Sequence, residues 1–283
     1  MLFRFLRISS LTGLLVFLSV ARALSQSEAS PTISANDLAR AVVANEIKAQ
    51  EASHSRWMYR SDREEQGKKK AKEVVQTGQG TLDRLVAIDG HPLNEKEERA
   101  EIERIENLVR NPAEQQRMEQ TKKRDGEQCK AFFEMIPDAL SFVYAGGDGD
   151  LIKLKYQPNP GFQPPTREAR VFHEMAGEMW VHAKQRRLAR INGQLLADVK
   201  FGGGFLGHLE KGGRFDVEQR ELAPGEWDLT SIEVNMRGKA LFFKTIAVQQ
   251  AEHRSDFRPL SQDLTLAGAA DLLTKQVVVA ANR

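Results

Sequence analysis

The fold is decided by VFHEM (171–175), EMWVHA (178–183), RLARI (187–191), QLLADVKF (194–201), RFDVEQREL (214–222), EWDLTSIEVNM (226–236) and KALFFKTIAV (239–248). These short segments follow one another with Gly-containing or charged turns between them and hardly a helix signal. Such spacing predicts an antiparallel meander. Along Trp227–Met236, Ile232, Val234 and Met236 share one face, while Ser231, Glu233 and Asn235 share the other. In the next segment Phe243, Thr245 and Ala247 alternate with Phe242, Ile246 and Val248, so both faces carry apolar groups. A strand of that kind predicts a core on one side and a cavity or a cover on the other.

Upstream of the meander the pattern changes several times. Leu38, Val42, Val43 and Ile47 predict a helix over Asn36–Ala52, with Ser34 as its N-cap and Asp37 three residues on. Three strands follow: Ser55–Glu64, Lys70–Thr77 and Thr81–Ile88. The charged stretch Asp62–Lys70 separates the first two, and its Lys68-Lys69-Lys70 run suits a solvated edge. Residues 94–136 then read as a helical insertion with interleaved charges of both signs. Asn111-Pro112-Ala113-Glu114 restarts a helix within it, and Asp125-Gly126 is expected to break that helix. Such an insertion is either a lid across an open sheet or a solvent-exposed helical hairpin. A hairpin is expected over Asp138–Tyr156, turning at Gly146–Gly149, and a short helix over Leu266–Leu273 precedes an apolar VVVAA tail.

The N-terminus reads as an export signal. Arg4 and Arg7 precede the apolar run Ile8–Val20 and an A-x-A site at Ala21-Arg22-Ala23, so residues 1–23 are expected to be removed. Ala23-Leu24-Ser25 is a neighbouring alternative for the cut. The run is too short and too interrupted by hydroxyls for a stable membrane span, and a periplasmic or secreted location follows. Cleavage lowers Lys+Arg from 41 to 38 against 39 Asp+Glu, so the basic balance of the whole chain gives no reason to expect nucleic acid. Residues 24–283 can form one domain. Cys129 is the only cysteine, which rules out an internal disulfide, and Phe132, Phe133 and Ile136 at helical spacing predict its burial.

No motif specifies catalysis. Gly202–Gly207 satisfies G-x-G-x-x-G, but a second glycine turn and a strand follow where a dinucleotide site needs a helix. Asp148-Gly149-Asp150 lacks the ligand register of a calcium loop and suits a hairpin turn. His173 begins HEMAG, which has no second histidine at i+4, so no metal site is expected. Carboxylates are plentiful, yet none stands in an apolar context. No cofactor, metal or catalytic residue is assigned.

The order of these pieces, and within it GEMWVHAKQRRLARINGQL (Gly177–Leu195), resembles the LolA-like lipoprotein carriers and their RseB-like and LppX-like relatives. The resemblance implies an incomplete barrel whose cavity is covered by helices and which carries or senses acyl chains. Together these readings predict an α+β fold, a curved antiparallel sheet of nine to eleven strands. The expected function is non-enzymatic binding of a lipid acyl chain, a lipoprotein or another hydrophobic ligand on the concave face. The residues expected to line it, or else to pack as core, are Trp180, Leu196 and Phe205, with Ile232, Val234, Met236 and Phe243. The alternative is an envelope interaction module that docks a protein partner on the charged insertion.

Overall fold

A computed structural model describes residues 33–281, apart from 53, 66, 202–206 and 241–248; side chains at 122, 239, 240 and 276–281 are also undescribed. The segment 1–23 expected to be an export signal, Phe205, Phe243 and most of the glycine motif therefore lie outside the described residues.

The fold is α+β, built on one curved antiparallel sheet of 11 strands that does not close into a barrel. In chain order the elements begin with α1 (Ala35–Ala52), β1 (Arg56–Glu65), β2 (Lys68–Thr77), β3 (Gly80–Ile88) and the two-residue β4 (His91–Pro92). Helices α2 (Glu95–Arg110), α3 (Pro112–Glu134) and α4 (Ile136–Ala139) follow, then β5 (Leu140–Asp148) and β6 (Leu151–Pro158). After a 3-10 helix (Glu168–Glu174) come β7 (Met175–His182), β8 (Leu188–Leu195), β9 (Val199–Phe201) and β10 (Gly207–Leu209). The chain continues with β11 (Arg214–Ala223), β12 (Glu226–Asn235), β13 (Gly238–Ala240), β14 (Gln249–Leu260) and α5 (Leu266–Ala281). The large sheet runs β4-β3-β2-β1-β14-β12-β11-β8-β7-β6-β5, and β13-β10-β9 form a small separate sheet.

The register defines two faces. Gly177, Gly193, Phe215 and Val234 lie opposite one another across β7, β8, β11 and β12, and the row continues to Gln250 on β14. This is the inner face, because Met179, Ile191 and Leu154 on it pack into a core with α1, α4 and the 3-10 helix. The other core lies on the outer face, where Met58, Val75 and Leu82 of β1–β3 meet Ile105 of α2 and Leu273 of α5. Helices therefore cover opposite faces at the two ends of the sheet. Helix α3 links them, running from the end of α2 to contacts with α1 and α4. Its 23 residues span about 34 Å at 1.5 Å per residue, and most of its first half is exposed, as a helix crossing open space permits.

Side-chain caps fix the starts of the first three helices. Ser34 Oγ accepts from Asp37 N–H at 3.0 Å and donates to Asp37 Oδ2 at 2.7 Å, fixing the start of α1. Asn94 and Glu97 form a reciprocal capping box at α2. Asn111 Oδ1 accepts from Glu114 N–H at 3.1 Å to open α3, with Pro112 in its first turn.

Several expectations are corrected. Helix α3 runs through Asp125-Gly126 without a break: one half-buried glycine costs about 1 kcal/mol of helix propensity, and the good helix formers around it carry the turn. VFHEM is largely a 3-10 helix, because its adjacent residues Val171 and Phe172 are both buried, which an alternating strand does not allow on a one-sided sheet. The Lys68–Lys70 run is exposed but lies in β2, between β1 and β3, with Lys69 opposite Glu64 and Lys68 opposite Glu65. Cross-strand charge pairing replaces the edge reading. Helix α5 extends to Ala281 through the apolar tail. Cys129 is exposed, because α3 reaches the core only one turn later, where Phe132 stacks on Phe172 at 4.5 Å.

Candidate functional site

Helix α1 carries one charged residue on its buried stripe. Glu46 lies one turn beyond Val42 and is itself buried. Its carboxylate accepts from Arg187 Nε at 2.6 Å, from Arg187 Nη2 at 3.1 Å and from the Leu188 N–H at 2.8 Å. Arg187 precedes β8, so this bidentate pair fixes α1 to the sheet. The same guanidinium lies 6.0 Å from the Trp227 ring. Trp227 donates Nε1–H to Gln185 Oε1 at 2.7 Å, and its ring meets His182 edge-on at 5.6 Å.

Beside this pair a cavity of about 820 Å³ opens between α1, α3 and the inner face. Its apolar wall is Ile47, Trp57, Phe133, Trp227 and Leu229. Its polar groups include Glu46 with Arg187, Asp228, and Lys130, which binds Glu51 at 2.6 Å. That volume and mixed lining fall within the range of small-molecule sites.

Asp228 joins the cavity to a polar network on the inner face. Arg254 donates from Nε to Glu252 Oε1 at 2.7 Å, sits 3.6 Å from Asp228 and lies over the Tyr59 ring at 5.1 Å. Ser61 Oγ donates to the same Glu252 oxygen at 3.2 Å. Burial pushes the Asp228 carboxyl above its ordinary value, against the attraction of Arg254 and hydrogen bonds from the Leu229 N–H and Gln76. Burial likewise raises the Tyr59 phenol, which Arg254 opposes. Cys129 lines the cavity with its thiol pushed up by desolvation, which disfavours the thiolate.

The residues expected from sequence to line a ligand site are dispersed. Val234 is buried, Ile232 is half-buried on the same face, and Met236 packs against the core under α1. Trp180 is on the outer face, where the register sets it beside Lys153 and Arg190, with the Lys153 ammonium 4.9 Å from its ring. Leu196 lies just past β8 and is 41% exposed. None of these described residues lines the 820 Å³ cavity. Sequence reasoning missed Ile47, Phe133, Trp227 and Leu229 because they belong to segments nearly 200 residues apart. The available signal was a tryptophan at the start of each of two strands, Trp57 and Trp227.

The histidines stay apart. His173 Nε2 is 3.1 Å from the Phe162 carbonyl, while His182 Nδ1 accepts from the Gln185 N–H at 3.2 Å. Among the described residues no group of three His, Cys, Asp or Glu could hold a metal ion, and no helix is long and apolar enough to cross a membrane. Compared with known protein families and with curated proteins, the sequence matches none.

Proposed function

We propose that this is an exported, non-enzymatic binding protein that holds an amphiphile, an acyl chain with a polar head, in the cavity between α1, α3 and the sheet. The observation that carries the reading is the lining. Two tryptophans, Phe133, Ile47 and Leu229 offer apolar surface, while Arg187 and Lys130 offer charge beside it. Burying an acyl chain there gains about 25 cal/mol per Å² of apolar surface, with no need for a reactive group. The resemblance of Gly177–Leu195 to lipoprotein carriers, and the N-terminal export signal, support the same reading.

Native mass spectrometry of the protein purified from its own envelope, followed by lipid extraction, tests it. A stoichiometric acyl ligand is expected, and palmitate added to stripped protein should quench tryptophan emission. Leu229→Asp should abolish that response while the far-ultraviolet dichroism stays unchanged. Protein that purifies empty and ignores palmitate sinks the proposal.

A second reading rests on α3. Its exposed first half includes Met118, 42% exposed on an otherwise charged helix, and could dock an envelope protein. Loss of a co-purifying partner on Met118→Glu would favour it over the amphiphile reading.

A further inference from the structure

The outer face of the sheet between β5 and β12 carries a second cavity, of about 960 Å³, that no helix covers. The register arranges its side chains in two parallel rows. One row is Ser141, Gln157, Ala176, Gln194, Arg214 and Asn235; the other is Val143, Lys155, Glu178, Asn192, Asp216 and Glu233. These residues differ in their bonding. Glu178 is held by Lys153 at 2.7 Å, Asp216 by Arg190, and Glu233 lies 3.5 Å from His253. By contrast the carboxamides of Gln157, Asn192, Gln194 and Asn235 bond nothing among the described residues, and Lys155 and Arg214 make no ion pair there. Two of the groove's carboxylates, Glu178 and Asp216, are thus held by cations, whereas Lys155, Arg214 and the four amides are not committed among the described residues.

We propose that this groove binds an acidic oligosaccharide. Each carboxamide both donates and accepts, which matches a hydroxyl that does the same. The four stand on alternate strands, Gln157 on β6, Asn192 and Gln194 on β8 and Asn235 on β12, and so present that chemistry at intervals of about 9.6 Å across the groove. Lys155 on β6 and Arg214 on β11 are three strand spacings apart, about 14 Å, a span of a few pyranose rings, and each can meet a carboxylate. Val143, 60% exposed at one end, offers apolar surface to the C–H face of a sugar. An added peptide strand finds no unpaired backbone, since these strands are hydrogen-bonded on both sides except β5. A nucleic acid would need more uncommitted cations and exposed aromatic platforms.

Tyr156 shapes the groove floor from the inner face. Gly177 and Gly193 are directly paired, and a Cβ on Gly193 would stand 2.3 Å from the Tyr156 hydroxyl. Their bare Cα atoms let that hydroxyl donate to the Asn192 carbonyl at 2.8 Å, holding the backbone from which the Asn192 amide projects. Tyr156 is thus a positioning residue, not a contact.

Calorimetric titration of the whole exported chain with trigalacturonate, and with neutral maltotriose as its counterpart, tests the proposal. Trigalacturonate should bind at one site, at least about tenfold more tightly than maltotriose. Arg214→Gln and Lys155→Gln should each weaken it about tenfold, and both side chains are exposed, so the fold should persist by circular dichroism. Gln194→Ala should weaken both saccharides alike. Absence of trigalacturonate binding, equal binding of maltotriose, binding indifferent to Arg214→Gln, or equal binding of an acidic peptide would each overturn it.

Discussion

At the β5–β8 end the helices lie on the face that bears Met179 and Ile191; at the β1–β3 end they lie on the face that bears Met58, Val75 and Leu82. Each end consequently leaves the other face bare, and the two bare faces differ in kind. On the outer face from β5 to β12 the surface carries amides and charged side chains. Inside β1–β3 it is aromatic: Trp57 and Tyr59 pack on Phe257, at 6.3 and 5.3 Å between ring centroids, next to the Arg254 network. One continuous sheet thus supports two surfaces of opposite chemistry: the outer cavity lies where no helix covers the sheet, and the inner one opens beside α1 and α3. The covered faces also differ. Among the described residues the core under α1 joins 23 buried residues, and the one under α2 and α5 joins 7, so the β1–β3 end should open first.

The largest expected effect is at the α1 end. Arg187→Ala removes the bidentate partner of a buried carboxylate, leaving Glu46, among the described residues, with the Leu188 N–H, and should cost about 3–5 kcal/mol in urea denaturation. A loss no larger than a surface substitution would mean that water reaches Glu46 and that α1 is held by apolar packing alone. Next comes Ile105→Ala, which empties a fully buried site between α2 and β1–β3 and should cost about 2–5 kcal/mol. Here the pattern matters as much as the size. Amide exchange should speed up in α2, β2 and β3 while β6–β8 remain protected. Uniform acceleration along the sheet would show that its two ends unfold as one.

Legibility in the sequence follows the same division. The meander was readable because Ile232, Val234 and Met236 alternate with polar residues, and alternation is a local signal. The capped helices were readable through Ser34 and Asn111 for the same reason. What alternation does not give is which face a helix will cover. Trp180 and Val234 both read as apolar strand residues, yet the register sends them to opposite faces, a choice fixed only when strands pair. The cavity was less legible still. Ile47, Phe133 and Trp227 come together through the path of α3 across the sheet, and that path depends on Gly126 being tolerated mid-helix rather than breaking it. The buried Glu46 could have been suspected from its place one turn after Val42; its partner Arg187 could not.

The smallest effect concerns Asp228, where the cavity meets the Arg254 network, and it tests how wet the aromatic face is. Burial raises this carboxyl above its ordinary pKa. Between the ordinary and the raised values the folded chain keeps a proton that the unfolded chain has released, so stability falls as pH rises through that window and levels off above it. Asp228→Asn removes the titration while Arg254 retains Glu252 as a partner. Measured as the difference from the unaltered protein, so that other carboxylates cancel, the variant should gain stability as pH climbs above the ordinary carboxylate range, and the gain should level off above the raised value. A difference that stays flat would mean the carboxyl titrates as in water. A difference of opposite sign would mean that Arg254, at 3.6 Å, outweighs desolvation. In that case the inner face at the β1–β3 end behaves as a solvated surface, and the cavity beside it offers a charged wall to any ligand.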